Sequence, residues 1–234
     1  MLKKKKLLLS LSFLFLFIEF VLGVLIQTTP TPNKIQYLSI ILACLCCFIF
    51  FEKSKSYIFT QTALLFTVCA DYFLVHLQPM NQLCGMIFFS GVQISYFLRI
   101  YFEEERIKIR KIHLIARISF SVVILIVTCL VLGKNADALA LISMFYYANL
   151  ILNLVFAFAN FKNSQILAIG LVFFLLCDTF IGLSNIGPYI SISENSFLYK
   201  ILFPGLDMAW LFYVPSQMLL AVSLLPNRIK KESV

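Results

Sequence analysis

Long apolar runs broken by short polar punctuation recur along the whole chain. They occupy residues 7–26, 35–51, 57–77, 82–102, 112–132, 138–159, 164–186 and 203–225. Each approximates the ~20 residues that carry a helix across a bilayer core. The pattern predicts an all-α polytopic membrane protein, a single transmembrane domain over residues 1–234 with about eight transmembrane helices. Gln27–Lys34 (QTTPTPNK) reads as a polar turn, and Gln78-Pro79-Met80-Asn81 folds the third run back into the fourth. Lys3–Lys6 ahead of the first run would suit a secretory signal peptide. That run is long enough to span, no small-x-small cleavage site follows, and Glu19 interrupts it, so a retained first helix is expected.

The exceptions to the apolar pattern carry the chemistry. Asp71 lies inside LLFTVCADYFLV and Asp178 inside LVFFLLCDTFIGL. An ionisable group at membrane depth costs a few kcal/mol on insertion scales, so it faces a protein interior or cavity and marks function. Each Asp stands 14 residues into its run, counted from Tyr57 and from Ser164. At about 1.5 Å per residue both sit roughly 21 Å up the helix. Glu19, 12 residues beyond Leu7, lies roughly 18 Å up by the same rise. Amides and phenols gather at helical spacing in the other runs: Gln93 with Tyr96, Tyr146 with Asn149 and Asn153, and Tyr213 with Gln217. Lipid cannot satisfy such groups, which predicts a polar centre facing inward.

Composition agrees and closes off other classes. The 234 residues are 61% hydrophobic and 13% charged, with a mean hydropathy of +0.95, far from a soluble domain. A net charge of +8 would point to nucleic acid in a soluble chain. Here the basic residues sit in short segments between apolar runs, so no nucleic-acid face is expected. With the N-terminus cytoplasmic, the inner segments hold Lys3–Lys6, Lys53, Lys55, Arg106, Lys108, Arg110, Lys111, Lys162, Arg228, Lys230 and Lys231, with Arg99 and Arg117 close by. The outer segments hold only Lys34, Lys134 and Lys200. The positive-inside rule then places both termini in the cytoplasm. The seven cysteines lie in or beside apolar runs without His or acid partners, so they read as small hydrophobes and no metal or disulfide is assigned to them. CADYFLV in the third run resembles LCDTFIGL in the seventh, and two four-span halves would make parallel repeats.

ADYFLV, Gly85, FFSGVQISYF, LLCDTFIGL and YVPSQMLLAV together resemble the lysoplasmalogenase-like, or YhhN, family of eight-span membrane proteins, over roughly residues 30–225. Asp71, Gly85, Tyr96, Asp178, Tyr213 and Gln217 match that family's pattern in order and spacing class. Three positions depart from it: Ala70 replaces Gly, Gln93 replaces His and Cys177 replaces Ser. A His-to-Gln change removes a titratable group and keeps hydrogen bonding. If that His assists catalysis, the chain is altered in substrate or inactive.

The resemblance implies hydrolysis of the vinyl-ether bond of lysoplasmalogens, giving a fatty aldehyde and a glycerophospho-alcohol, with no cofactor and no metal. The chemistry suits two buried acids independently. A vinyl ether accepts a proton on carbon and becomes an oxocarbenium ion, which calls for a carboxylic acid that keeps its proton near neutral pH. A second carboxylate stabilises the cation and activates water, as in glycoside hydrolysis. Asp71 and Asp178 are the expected pair, with Gln93, Tyr96, Asn149, Tyr213 and Gln217 orienting water or the lipid headgroup. Glu19 and Asp207 are further candidates; Glu19 has helix pairing as its alternative and Asp207 a helix-start role. Glu103–Lys111 (EEERIKIRK) reads as a solvated inner loop, and His76 and His113 as interfacial. The partners expected are a lysophospholipid and the bilayer of a cell membrane; the Phe, Ile, Leu and Lys content suits an AT-rich bacterial genome and its inner membrane. Two other readings stand beside the hydrolase: a non-catalytic relative of the same family, and a small proton-coupled transporter relaying ions through the two acids.

Overall fold

The computed structural model describes residues 2–49, 54–185 and 206–225. Eight α-helices occupy these residues: α1 (Leu2–Thr28), α2 (Asn33–Ile49), α3 (Lys55–Asp71), α4 (Gln82–Glu103), α5 (Ile107–Leu132), α6 (Ala138–Ala159), α7 (Phe161–Ser184) and α8 (Met208–Val222). A π-turn, Tyr72–His76, prolongs α3, and a 3-10 turn, Gly133–Asn135, follows α5. No strand occurs among the described residues.

Short polar side chains start these helices. Ser54, Asn81, Asp137 and Asp207 stand at the N-caps of α3, α4, α6 and α8, each accepting from the backbone N–H three residues on. Gly133 stops α5 at φ 53°, a conformation that costs glycine little. Six helices are long and apolar enough to cross a membrane: α1, α3 with its π-turn, α4, α5 with its 3-10 turn, α6 and α7. α2 and α8 are shorter apolar helices of 17 and 15 residues. The outer part of the expected span 203–225, from 203 to 205, and the end of 35–51 lie outside the described residues. So do Lys53, Lys200, Arg228, Lys230 and Lys231.

The charged stretch after α4 differs from expectation. Only Glu104–Arg106 is non-helical, and α5 starts at Ile107, so Lys108, Arg110 and Lys111 sit on a helix. The cause is local. The Glu104 carboxylate accepts from Arg106 Nε at 2.8 Å, from its second guanidinium nitrogen at 2.9 Å and from its backbone N–H at 3.0 Å. Arg110 Nε donates to the Glu104 carbonyl at 2.6 Å. These bonds complete the turn within three residues.

Arg106 holds the Glu104 carboxyl down from 4.5 to about 2. A carboxyl depressed in the folded state stabilises above its unfolded value and loses that contribution as pH falls through the folded one. Amide exchange across Glu104–Arg110, corrected for intrinsic rates, is expected to stay flat from pH 7 to about 5 and to rise toward about 2. The same acid response in Glu104→Gln would show that another group is responsible.

The helices close into a circuit. α1 packs on α2, α2 on α3, α3 on α4, α4 on α6, α6 on α7, α7 on α8, and α8 returns to α1 and α2. α5 stands outside it, packed chiefly on α6, with Ile112, Ile115, Ile118, Val123, Leu130 and Val131 exposed as a lipid-facing helix requires. Inside, Val92, Phe89, Tyr146, Leu150, Leu171, Phe174, Cys177, Tyr213 and Leu220 form the central core.

The π-turn packs tightly on α4 at Gly85, where a Cβ would lie 2.5–2.9 Å from Cγ and both methyl groups of Leu74. Overpacking of this kind typically costs about 1–3 kcal/mol. Gly85→Ala is therefore expected to lower the melting temperature of the detergent-solubilised protein. Gly182→Ala, with nothing within 4 Å of the new methyl group, is expected to leave it unchanged. Equal melting of the two variants would refute the close approach.

Candidate active site

Asp71 is the last residue of α3, where the helix widens into the π-turn. Such local widenings re-aim side chains and frequently accompany functional sites. The carboxyl is turned into the bundle, 3% exposed, and its Oδ2 accepts from the Tyr213 hydroxyl of α8 at 2.6 Å. α3 and α8 touch only lightly, so this bond crosses the circuit rather than following one seam.

Asp178 occupies the equivalent place on α7, 17 residues from its start, as Asp71 is 16 from the start of α3. Its Oδ2 accepts a short hydrogen bond from the Tyr146 hydroxyl of α6. Thr179, the next residue, meets the Tyr147 hydroxyl at 2.8 Å and fixes the same two helices in register. Asp178 is partly accessible, where Asp71 is buried.

Phe174 joins the two pairs. Its ring centroid lies 6.5 Å from that of Tyr146 and 5.7 Å from that of Tyr213, within the range of favourable aromatic contacts. Phe89 adds a second wall, 5.6 Å from Tyr146 and 6.0 Å from Phe174. Four helices thus bring two carboxyls and two phenols around one aromatic floor.

Behind Tyr146 runs a polar network on α4, α5 and α6. Gln93, fully buried, lies near enough to act on the Tyr146 phenol, yet its Nε2 has no hydrogen-bond partner. Asn153 Nδ2 donates to the Gln93 side-chain oxygen at 2.9 Å and to the Gln93 backbone carbonyl at 2.8 Å. Asn153 Oδ1 accepts from the Arg117 guanidinium at 2.6 Å, and Asn149 Oδ1 accepts a short bond from the same group. Asn149, expected to orient substrate, is therefore tied to Arg117 and one turn removed from the phenol.

The other expected residues lie elsewhere. Tyr96 is fully buried with an unpartnered hydroxyl, in electrostatic range of Arg99, Cys44 and Cys47 rather than of either Asp. Gln217, one turn beyond Tyr213 on α8, has neither amide atom partnered. Glu19 on α1 accepts from Ser39 Oγ at 2.5 Å and keeps its other oxygen buried and unpartnered. Asp207 caps α8, accepting from the Trp210 N–H at 3.2 Å, while its backbone exchanges two hydrogen bonds of 2.9 Å with the Gln27 amide. His76, at the end of the π-turn, stacks on Tyr37, and His113 is buried against Phe156.

Sequence reasoning left Tyr146 among the mid-span polar groups and counted Arg117 with the inner-loop cations. The structure places one on an acid and the other inside the bundle. The available signal was spacing, since Tyr146, Asn149 and Asn153 share one face of α6.

Among the described residues no three His, Cys, Asp or Glu side chains gather as metal ligands. The chemistry open to the arrangement is proton transfer between carboxyls and phenols packed among aromatic rings. No curated protein and no solved structure matches the chain. A family model described as YhhN family matches residues 33–224, a stretch that runs from the first residue of α2 past the end of α8 and contains both Asp–Tyr pairs. The chain belongs to the YhhN family.

Proposed function

We propose that the protein is a membrane-embedded hydrolase that cleaves the vinyl-ether bond of lysoplasmalogen-type lysophospholipids. The observation that carries this reading is the pairing of Asp71 with Tyr213 and of Asp178 with Tyr146 around Phe174. A carboxyl delivers a proton to the vinyl carbon that bears the alkyl chain, and the C=C electrons become the new C–H bond. The adjacent carbon and its ether oxygen then share the positive charge. Water adds to that carbon and loses a proton to the second carboxylate, giving a hemiacetal. The hemiacetal gives up its O–H proton to one carboxylate and its ether oxygen takes a proton from the other carboxyl as that C–O bond breaks, releasing a fatty aldehyde and the glycerophospho-alcohol. Two proton carriers suffice, and no redox step is needed. One of Asp71 and Asp178 takes the acid role and the other activates water. Phe174 and Phe89 supply π faces for the cation.

The same reading places the chain as a single domain in a bacterial inner membrane, with both termini cytoplasmic and two parallel four-helix halves. The packing supports the repeat. α3 on α4 corresponds to α7 on α8, α2 on α3 to α6 on α7, and α4 on α6 to α8 on α2. Single cysteines placed before residue 7 and after residue 225 are expected to react only from the cytoplasmic side. Labelling of one terminus from each side would end the parallel-repeat reading.

One observation favours a second reading, the non-catalytic relative. Gln93 stands where the family pattern carries His, and its oxygen is held by Asn153. The test of function is aldehyde release from the purified full chain given a lysoplasmalogen. Proton-gradient-dependent flux into vesicles, with no aldehyde formed, would point to the transporter instead.

A further inference from the structure

We infer that Arg117 binds the substrate's phosphate, and that the lipid reaches it sideways through the lightly packed seam between α4 and α5. The inference rests on the hydrolase reading above. Its first ground is an uncompensated charge. Arg117 is 8% exposed, and no carboxylate lies within salt-bridge distance among the described residues. Its partners are the amide oxygens of Asn149 and Asn153 and the face of Phe97, 4.2 Å away. These are neutral groups. They orient a guanidinium without balancing it, and a buried cation left so is strongly unfavourable unless an anion joins it.

The second ground is open bonding capacity. Arg117 Nε has no partner, and neither has Nδ1 of His113, one turn away on the same face of α5 and 3% exposed. A guanidinium presents a planar fork that matches phosphate oxygens. Arg106, Arg110, His113 and Arg117 follow one another at spacings of four, three and four, so they form a stripe from the α4–α5 turn into the bundle. Arg106 and Arg110 are tied to Glu104 at the turn. The two deeper members keep the open donors.

The third ground is the light seam between α4 and α5. α8 packs against α1, but the corresponding pair in the other half, α4 and α5, forms no comparable interface although the two are consecutive. Where they meet, Arg117 lies over the Phe97 ring at 4.2 Å. A lipid that parts this contact from the leaflet on the side of the α4–α5 turn arrives at the guanidinium.

The spacing suits a lysophospholipid. Asn153, which holds Arg117, and Tyr146, which holds Asp178, are seven residues apart on α6, about 10 Å of axial rise. Seven bonds separate the alkyl-bearing vinyl carbon from phosphorus, roughly 9 Å when extended. A phosphate at Arg117 therefore sets the vinyl ether at the two carboxyls, with the tail running on past Phe174.

The test measures binding to the full chain in neutral detergent with three probes: a saturated 1-O-alkyl lysophospholipid, the matching 1-O-alkylglycerol, and inorganic phosphate. The lysophospholipid is expected to bind on the order of tenfold or more tighter than the alkylglycerol. Arg117→Gln is expected to remove that preference, and Asp71→Asn to keep it. No preference in the parent, or an undiminished one in Arg117→Gln, overturns the inference. Inorganic phosphate displacing nothing supports a lipid ligand; phosphate binding Arg117 with no preference for the lipid overturns that source. Should Arg117→Gln fail to fold, the parent still decides. A diazirine beside the phosphate is expected to label residues 93–121, and labelling of α1, α2 or α8 overturns the site. The alkyl probe cannot be cleaved, so binding and hydrolysis fail separately.

Discussion

Asp71→Asn and Asp178→Asn are each expected to lower aldehyde release by about 10²–10⁴, the usual contribution of a positioned proton carrier. Both substitutions keep shape and an oxygen that still accepts from Tyr213 or Tyr146, so the bundle should assemble. What disappears is the proton. The double variant is expected to fall little below the worse single one, because two groups that act on one transition state are not additive. Tyr213→Phe and Tyr146→Phe keep the rings against Phe174 and remove only the hydroxyl, so a loss of about tenfold is expected, near one hydrogen bond to a charged group. The readout is single-turnover release from purified protein, with melting in detergent as the folding control. Full activity in either Asn variant would remove the paired-acid mechanism. Retained activity in the Phe variants would leave the acids and reduce the phenols to packing.

Much of this site was legible because a membrane leaves few places for a carboxyl. Asp71 and Asp178 stand out of runs of Leu, Phe and Val, and spacing gave them matching positions along α3 and α7. Tyr213 was legible for the same reason, as a polar group at mid-span. What spacing could not supply was partner choice. Tyr96 and Gln217 share family-pattern positions, yet neither makes a bond to an acid, because helix rotation decides which way a residue faces and apolar runs do not encode rotation. Arg117 was misplaced for a related reason. The positive-inside rule counts charges near a span and is blind to one drawn inside it. The start of α5 was missed because hydropathy marks where a helix becomes apolar, while hydrogen bonds mark where it begins. The bonds around Glu104 set the turn at Glu104–Arg106, five residues before the apolar run at Ile112.

Gln93→His is expected to raise aldehyde release by about 10–100-fold, within the range of acid–base assistance by a positioned imidazole. Position 93 lies between the Tyr146–Asp178 pair and the Arg117 network. The Gln93 oxygen is occupied by Asn153, and the amide nitrogen has only the Tyr146 phenol beside it. Asn153 keeps the backbone carbonyl of residue 93 as a partner after the substitution, at 2.8 Å, so the network does not depend on the glutamine side chain. An imidazole there would exchange a proton with the Tyr146–Asp178 pair, which an amide cannot do. The pH–rate profile should change shape, because a further titratable group joins the site. An unchanged rate and profile would show that the amide already meets the site's need and that the two acids carry the chemistry alone. Release by Gln93→His from a silent parent would identify the natural chain as the non-catalytic relative, with a site one side chain away from turnover. Silence in both, with the saturated lysophospholipid still bound at Arg117, would keep the lipid and discard the vinyl ether as the bond acted upon.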